Sequence, residues 1–411
     1  MYEGLPKRYK MKLGIIREEK TPPDSRVPLT PAQCAQLLKQ YPTIEIVVKP
    51  SPNRCYTDQE YKDAGIPFQE ELSDCDILMG VKEVPKDSLI PNKIYFFFSH
   101  TIKQQVYNRS LLQTILAKKI QLLDYEVLTN EKGQRLIAFG HFAGMVGAHN
   151  GLLTYGLRTG AFEMKRMKDC YDYKEAVEHY KGITFPSLKI ILSGTGRVAS
   201  GAAQVLNDMG IRKVSPRDFL HQSFDSAVYT QLACKDYVAK KDATSFELSG
   251  FYENPLEYKS IFAPYAKVGD IFINGIYWDN QAPAFFSKEE MRHPEFNIQV
   301  IADVTCDIAP LSSIPSTLRA STIADPFFGY DPNTESETAP FQKGSIDMMT
   351  IDNLPNELPR DASLAFGEQF IQYILPELLK GKDSSVIERA TVAINGRLGT
   401  HFEYLTDYVK N

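Results

Sequence analysis

Short apolar runs recur along the chain, each too brief for a buried helix and each bounded by polar or turn-forming residues. In the first half they are LGII (13–16), IEIVV (44–48), DILMGV (76–81), IYFFFS (94–99), IQLLDYE (120–126) and LIAFG (136–140). These runs do not alternate apolar with polar, as strands buried on both faces do not. Between the fourth and fifth, Val106, Leu111, Leu112, Ile115 and Leu116 return at helical spacing. Strand–helix–strand alternation predicts parallel pairing with right-handed crossovers. Residues 141 to about 168 read as one or two glycine-studded helices leading to a second unit that starts near Leu188. There LKIILSG, the helical GRVASGAAQVLNDMG and RKVSP follow one another, and SAVYTQL, GDIFINGIYW and IQVIADVT supply further strands. The Pro-, Gly- and polar-rich segment 324–344 reads as a long excursion or lid, and 366–379 and 384–409 as helical. The pattern predicts an α/β chain of two Rossmann-like domains with a cleft between them. One spans residues 1–145 with about 355–411, and the other, 146–354, binds the dinucleotide.

Charge narrows the partners. Fifty-one acidic residues against 46 Lys and Arg give a formal charge of -5, without a basic stripe, so no nucleic acid is expected. No apolar run nears the roughly 18–20 residues of a membrane span, and the first 20 residues lack the apolar core of a signal peptide. Six scattered cysteines without a CxxC pair predict no metal site and read as reduced, mostly buried thiols of a cytoplasmic protein.

The second unit opens with Gly194-Thr195-Gly196-Arg197-Val198-Ala199. GxGxxA alone is a weak signal, but here a buried strand precedes it and a helix follows. Gly194 would make the tight turn, Gly196 would let pyrophosphate approach the backbone, and Ala199 would let helix pack on strand. The phosphates would then meet the free N–H groups of the helix N-terminus. About 20 residues on, where an acid holds the ribose of NAD, the chain reads Lys213-Val214-Ser215-Pro216-Arg217-Asp218. A hydroxyl at Ser215 with a guanidinium at Arg217 favours NADP(H) over NAD(H), with Asp218 as the alternative acid.

The strand tips of the first unit carry charge where α/β sites form. DILMGV runs into Lys82 and Glu83, IYFFFS into His100 with Lys103 just beyond, and IQLLDYE ends on Asp124 and Glu126. Arg135 opens LIAFG, and Arg17 and Arg26 lie in the first loop. Taken singly, each has an ordinary explanation: a hydrogen-bonded histidine, a solvated lysine, a surface ion pair. Their convergence is what points to chemistry. Lys82, desolvated beside another cation, would fall toward neutrality and could exchange protons with His100.

GVKEVP (80–85), YFFFSHTIK (95–103), LLDYEVLTNEKGQRLIAFG (122–140), SGTGRVASGAAQ (193–204), INGIYW (273–278), ADVTCD (302–307) and IDNLPNELPRDAS (351–363) resemble the lysine-forming saccharopine dehydrogenases. The likeness is nearest to the lysine–2-oxoglutarate reductase half of aminoadipic semialdehyde synthases, and runs from about Leu13 to Leu379. The resemblance therefore implies the reductase half standing alone. The resemblance implies the two-domain alanine dehydrogenase/saccharopine dehydrogenase fold and the NAD(P)H-dependent condensation of L-lysine with 2-oxoglutarate to saccharopine, or the reverse cleavage. It implies Lys82 and His100 as the acid–base pair and Arg26 and Arg135 as carboxylate holders. Glu83 and Glu126 would balance charge, and Lys103 joins the substrate side. Ile276, within INGIYW, and Asp352 fall on the cofactor side. Val198 and Gly275 stand where the fungal form has a cysteine pair. Two other readings fit the same layout: another opine-forming or alanine-dehydrogenase-like amino-acid dehydrogenase, and a non-catalytic nucleotide sensor. The sequence carries no sign of oligomeric state.

Overall fold

The computed structural model describes residues 10–410. The chain divides into two compact units. One runs to Ala138 and resumes at Pro359; the other is Phe139–Leu358. The sequence reading placed these divisions at 145 and near 355, and residues 1–9 of its first domain lie outside the described residues.

The first unit opens with five parallel strands: β1 (Met11–Ile15), β2 (Ile44–Val48), β3 (Ile77–Met79), β4 (Ile94–Phe97) and β5 (Gln121–Asp124). Their spatial order is 2-1-3-4-5, a doubly wound arrangement whose direction of winding reverses between β1 and β3. The helix Pro31–Gln40 begins on a capping box in which Thr30 and Gln33 hydrogen-bond reciprocally, with proline at the first helical position. Tyr95, Phe96 and Phe97 of β4 are buried, and Phe96 stacks on Tyr125 and meets Phe370 edge-on. LIAFG is not the strand its composition predicts. Asn130 Oδ1 accepts from the Lys132 and Gln134 N–H groups, and Gly133 takes φ +73°. This tight turn folds Arg135 back onto Thr129 in an isolated antiparallel bridge, and Gly140 already starts a helix.

The second unit carries β6 (Lys189–Ser193), β7 (Arg212–Val214), β8 (Val228–Leu232), the separate hairpin β9 (Val238–Lys240) and β10 (Tyr258–Ser260), then β11 (Ile271–Asn274), β12 (Val300–Asp303), β13 (Phe327–Asp331), β14 (Ser336–Thr338) and β15 (Ile346–Met349). The eight-stranded sheet runs β14-β13-β15-β12-β11-β6-β8-β7. The 324–344 segment, expected as an excursion or lid, is largely the β13–β14 hairpin, which extends the sheet antiparallel to β15. Two helices, Gly140–Thr159 and Arg197–Asp208, cross at backbone contact. A Cβ on Gly144 would lie 1.8 Å from the Val198 carbonyl oxygen, and one on Gly201 1.9 Å from that of His141. The glycines are therefore the condition of this packing.

The chain then returns to the first sheet with β16 (Thr391–Ile394) antiparallel to β5, and β17 (Arg397–Leu398). The all-helical expectation for 384–409 fails here. Asn395 and Gly396 both take positive φ, 52° and 78°, the Asn-Gly pairing that two-residue hairpin turns favour.

Candidate functional site

The ladder between β3 and β4 ends where the charged residues begin. Gly80 N–H donates to Phe96 O and Phe98 N–H to Val81 O, so Lys82–Glu83 and Ser99–His100 leave the sheet side by side. His100 turns sharply out of the strand at φ 54°, a left-handed state costing a non-glycine residue about 1–3 kcal/mol. Strain of this kind persists where surrounding structure fixes it, and here the strand behind His100 is locked. Ser99 N–H and Oγ both donate to Asp124 at the tip of β5. The apolar strand is a scaffold that presents an imidazole at its end.

Glu83 bridges two side chains: one oxygen pairs with His100 Nδ1 and the other with Lys20 Nζ, each at 2.7 Å. Burial alone would raise the Glu83 carboxyl, but the hydrogen bonds from His100 and Lys20 pull it down to about 2. Lys82 is driven the other way. Burial, then repulsion from Arg26 and Lys20, outweighs attraction to Asp24 and Glu83 and lowers its amine to about 8. Beneath it, Glu18 accepts from the Val81 and Lys82 N–H groups at 2.5 and 2.9 Å. Burial and the neighbouring Asp24 raise this carboxyl to about 7. Lys20, Glu18 and Lys82–Glu83 follow β1 and β3, the two strands that flank the reversal of winding, where open α/β sheets place ligands.

The two arginines fare differently. Arg26 is 3% exposed and grips Asp24 bidentately, Nε on Oδ1 at 2.9 Å and Nη2 on Oδ2 at 2.6 Å. It is a buried ion pair, not the open carboxylate fork expected. Arg135 remains half exposed and donates to Glu126 Oε1 at 2.7 Å, with Lys103 Nζ 3.5 Å from the same oxygen. The second Glu126 oxygen is buried with no hydrogen-bond partner among the described residues. Removing one member of a fully buried pair leaves an uncompensated charge and costs about 3–5 kcal/mol. Asp24→Ala should therefore destabilise the first unit by about that amount, read as a lower urea midpoint at unchanged slope; an unchanged midpoint would refute the pairing.

In the second unit the glycine turn leaves its backbone open at the start of the helix Arg197–Asp208. Gly194 takes φ +98°, and a Cβ there would lie 2.7 Å from Gly275 O. A Cβ on Gly196 would meet nothing within 4 Å, which leaves the backbone open to a close ligand. Ala199 is fully buried against the strand, while Thr195, Gly196 and Arg197 are exposed at the helix N-terminus and Val198 lies just inside it. Ser193, Asn274 and Asp303 tie the tips of β6, β11 and β12: Ser193 Oγ donates to Asn274 Oδ1, and Asn274 Nδ2 to Asp303 Oδ1. A cavity of about 460 Å³ opens on the turn, lined by Gly194, Thr195, Gly196, Cys234, Tyr237 and Ile276, among others. Asp352 is exposed beyond β15, outside that lining.

Ser215 and Arg217 need correction. Both are exposed at the end of β7, the edge strand of the sheet, and neither lines the cavity. Ser215 caps the following short helix, accepting from Asp218 N–H and donating to its carboxylate. The sequence reading assigned no site role to Glu18, Lys20 or Asp24, noting Lys20 only for its place beside Thr21, an order unlike that of the fungal form. Their only signal was position, in the loop directly after the first strand. One group of possible metal donors converges among the described residues, Cys170, Glu175 and His179, but Glu175 is held by Lys165 at 2.5 Å and by Tyr171 N–H.

Comparison with known proteins agrees with this architecture. Residues 14–146 match the family described as alanine dehydrogenase/PNT, N-terminal domain. The chain is 30% identical to alpha-aminoadipic semialdehyde synthase of Arabidopsis thaliana over 96% of its own length and 41% of that protein. It is 28% identical to the mitochondrial counterpart of Rattus norvegicus, over 97% of this chain and 48% of the relative. It thus spans less than half the length of either. Saccharopine dehydrogenase [NAD(+), L-lysine-forming] of Emericella nidulans is 27% identical, with 90% of this chain and 92% of that protein covered. Among solved structures, an L-alanine dehydrogenase superposes with TM-score 0.65 at 15% identity over 97% of this chain and 99% of its own. The transhydrogenase of Sinorhizobium meliloti gives 0.58 at 13%, over 94% and 98%. The fold is alanine-dehydrogenase-like, and the resemblance to lysine-forming saccharopine dehydrogenases holds over nearly the whole chain.

Proposed function

We propose, from the premise that this chain is a relative of the lysine-forming saccharopine dehydrogenases, that it condenses L-lysine with 2-oxoglutarate reductively to saccharopine, or runs the reverse cleavage, with NADP(H) favoured. The reading is supported by the placement, at the ends of adjacent strands, of a desolvated Lys82 lowered to about 8 and of His100 held on Glu83. Imine formation and hydrolysis need protons moved on and off a nitrogen and a carbinolamine oxygen, which two groups of different pKa do better than one. In its neutral form Lys82 takes a proton from the substrate ammonium. His100 delivers one to the departing hydroxyl, and Glu83 keeps the ring oriented. Arg135, half exposed, offers a guanidinium to a substrate carboxylate, while Glu126 and Lys103 balance charge around it. Gly194 and Gly196, with the N–H groups at the start of the helix Arg197–Asp208, would hold the pyrophosphate of a nicotinamide dinucleotide, which supplies the hydride when bound.

NADPH oxidation by the purified chain should require both lysine and 2-oxoglutarate. Preference for ammonia with pyruvate would favour the alanine-dehydrogenase-like reading. Tight cofactor binding without turnover on any amine and oxoacid pair would favour the sensor.

A further inference from the structure

We propose that Lys235, at the carboxyl end of β8, selects a 2′-phosphorylated dinucleotide, in the place the sequence assigned to Ser215 and Arg217. The inference rests on the proposed use of NADP(H) and names the residue responsible. In a dinucleotide-binding sheet the adenosine ribose meets the tip of the strand beside the one that precedes the glycine turn. That neighbour is ordinarily the next strand in sequence, and counting about 20 residues from Gly194 lands on β7. Here β8 takes the inner place, in register with β6 from Lys189 opposite Val228 to Ser193 opposite Leu232. The next strand in sequence, β7, pairs with β8 and lies at the sheet's edge.

The tip of β8 presents no carboxylate to a ribose. Ala233 stands where a bare ribose would want a carboxylate, and the short helix Cys234–Tyr237 follows. Cys234 and Tyr237, one turn apart, line the same cavity as Gly194, Thr195 and Gly196. Asp236, the acid nearest in sequence, turns its Oδ2 onto the Ala233 N–H at 2.8 Å. Lys235 follows Cys234 on this short helix and is exposed at the rim, not itself part of the cavity lining; what sets it apart from Arg217 is its strand, since β8 and not β7 lies beside β6. A second ammonium is tied to the same strand and to the glycine turn: Lys213 Nζ donates to Gln231 Oε1 at 2.6 Å, and Gln231 Nε2 donates to Gly194 O at 2.9 Å. An ammonium at this tip attracts a phosphate dianion far more strongly than it holds a neutral hydroxyl pair.

The test is equilibrium binding of NADPH and NADH, followed by nucleotide fluorescence, to the full chain and its Lys235→Ala, Lys235→Asp and Arg217→Ala variants. The wild type should bind NADPH more tightly. Lys235→Ala should weaken NADPH about tenfold, as loss of a charge-assisted contact does, and NADH less than twofold. Lys235→Asp should reverse the preference, and Arg217→Ala should shift neither Kd by more than twofold. A wild type that prefers NADH, a Lys235→Ala variant that loses both nucleotides equally or neither, or a selective loss of NADPH in Arg217→Ala would overturn the assignment. Binding is read without an amine substrate. The expected Kd pattern together with no lysine-dependent turnover would sink the saccharopine reading and leave this one standing.

Discussion

Lys82→Met should lower the turnover number for saccharopine formation about a hundredfold or more, the usual range for a lost general acid–base group, while the Kd for NADPH stays within twofold. The physical reason is the position of the amine. Burial and the neighbouring Arg26 lower it to about 8, so the neutral form becomes the majority as pH rises through that value. A step that needs neutral Lys82 should gain rate up to about pH 8 and level off above it. Methionine keeps the chain length and removes the titrating group, so this limb should vanish from the pH profile of kcat/KM. A limb near pH 8 that survives in Lys82→Met, or a variant with wild-type turnover, would remove Lys82 from the chemistry. Thermal melting of the variant separates loss of proton transfer from loss of fold. Relieving a desolvated charge should leave stability equal or higher.

The second large effect is structural. Gly201→Ala should destabilise the second unit by about 3 kcal/mol or more, at the upper end of what overpacking costs, because the added methyl would meet the His141 carbonyl at 1.9 Å. The obstacle is the backbone of the opposing helix, so no side chain can turn aside and the helices must part. Parting them would also move the glycine turn, since the helix carrying Gly201 begins at Arg197. Gly133→Ala serves as the comparison. Its φ of +73° strains an alanine, but the added carbon meets nothing within 4 Å, so the cost should be about 1 kcal/mol. Urea midpoints, each read as a shift from wild type in the unit that carries the substitution, would check both, and a Gly201→Ala shift no larger than that of Gly133→Ala would show that the helix crossing tolerates separation.

Much of the site was legible because its logic is local. A short apolar run bounded by polar residues reads as a buried strand, and the polar residue that ends such a strand falls at the sheet's edge. On that ground Lys82, Glu83, His100 and Glu126 were placeable before any coordinates, as was the turn at Gly194 and Gly196. LIAFG misled because a buried apolar run reads alike as strand or as the approach to a helix. The Asn-Gly turn at 395–396 was in plain view, but strong helical patterning around it masked a two-residue signal.

By itself, then, the sequence determined the α/β class, the strand tips that carry charge and the glycine turn, since each depends on near neighbours along the chain. Only the tertiary structure decided which strand lies beside which, and with it that Arg26 is sealed against Asp24, that Glu83 joins Lys20 to His100, and that β8 rather than β7 flanks the glycine turn. Those outcomes depend on pairings between residues tens of positions apart, made by burial and charge compensation, which no count along the chain can order.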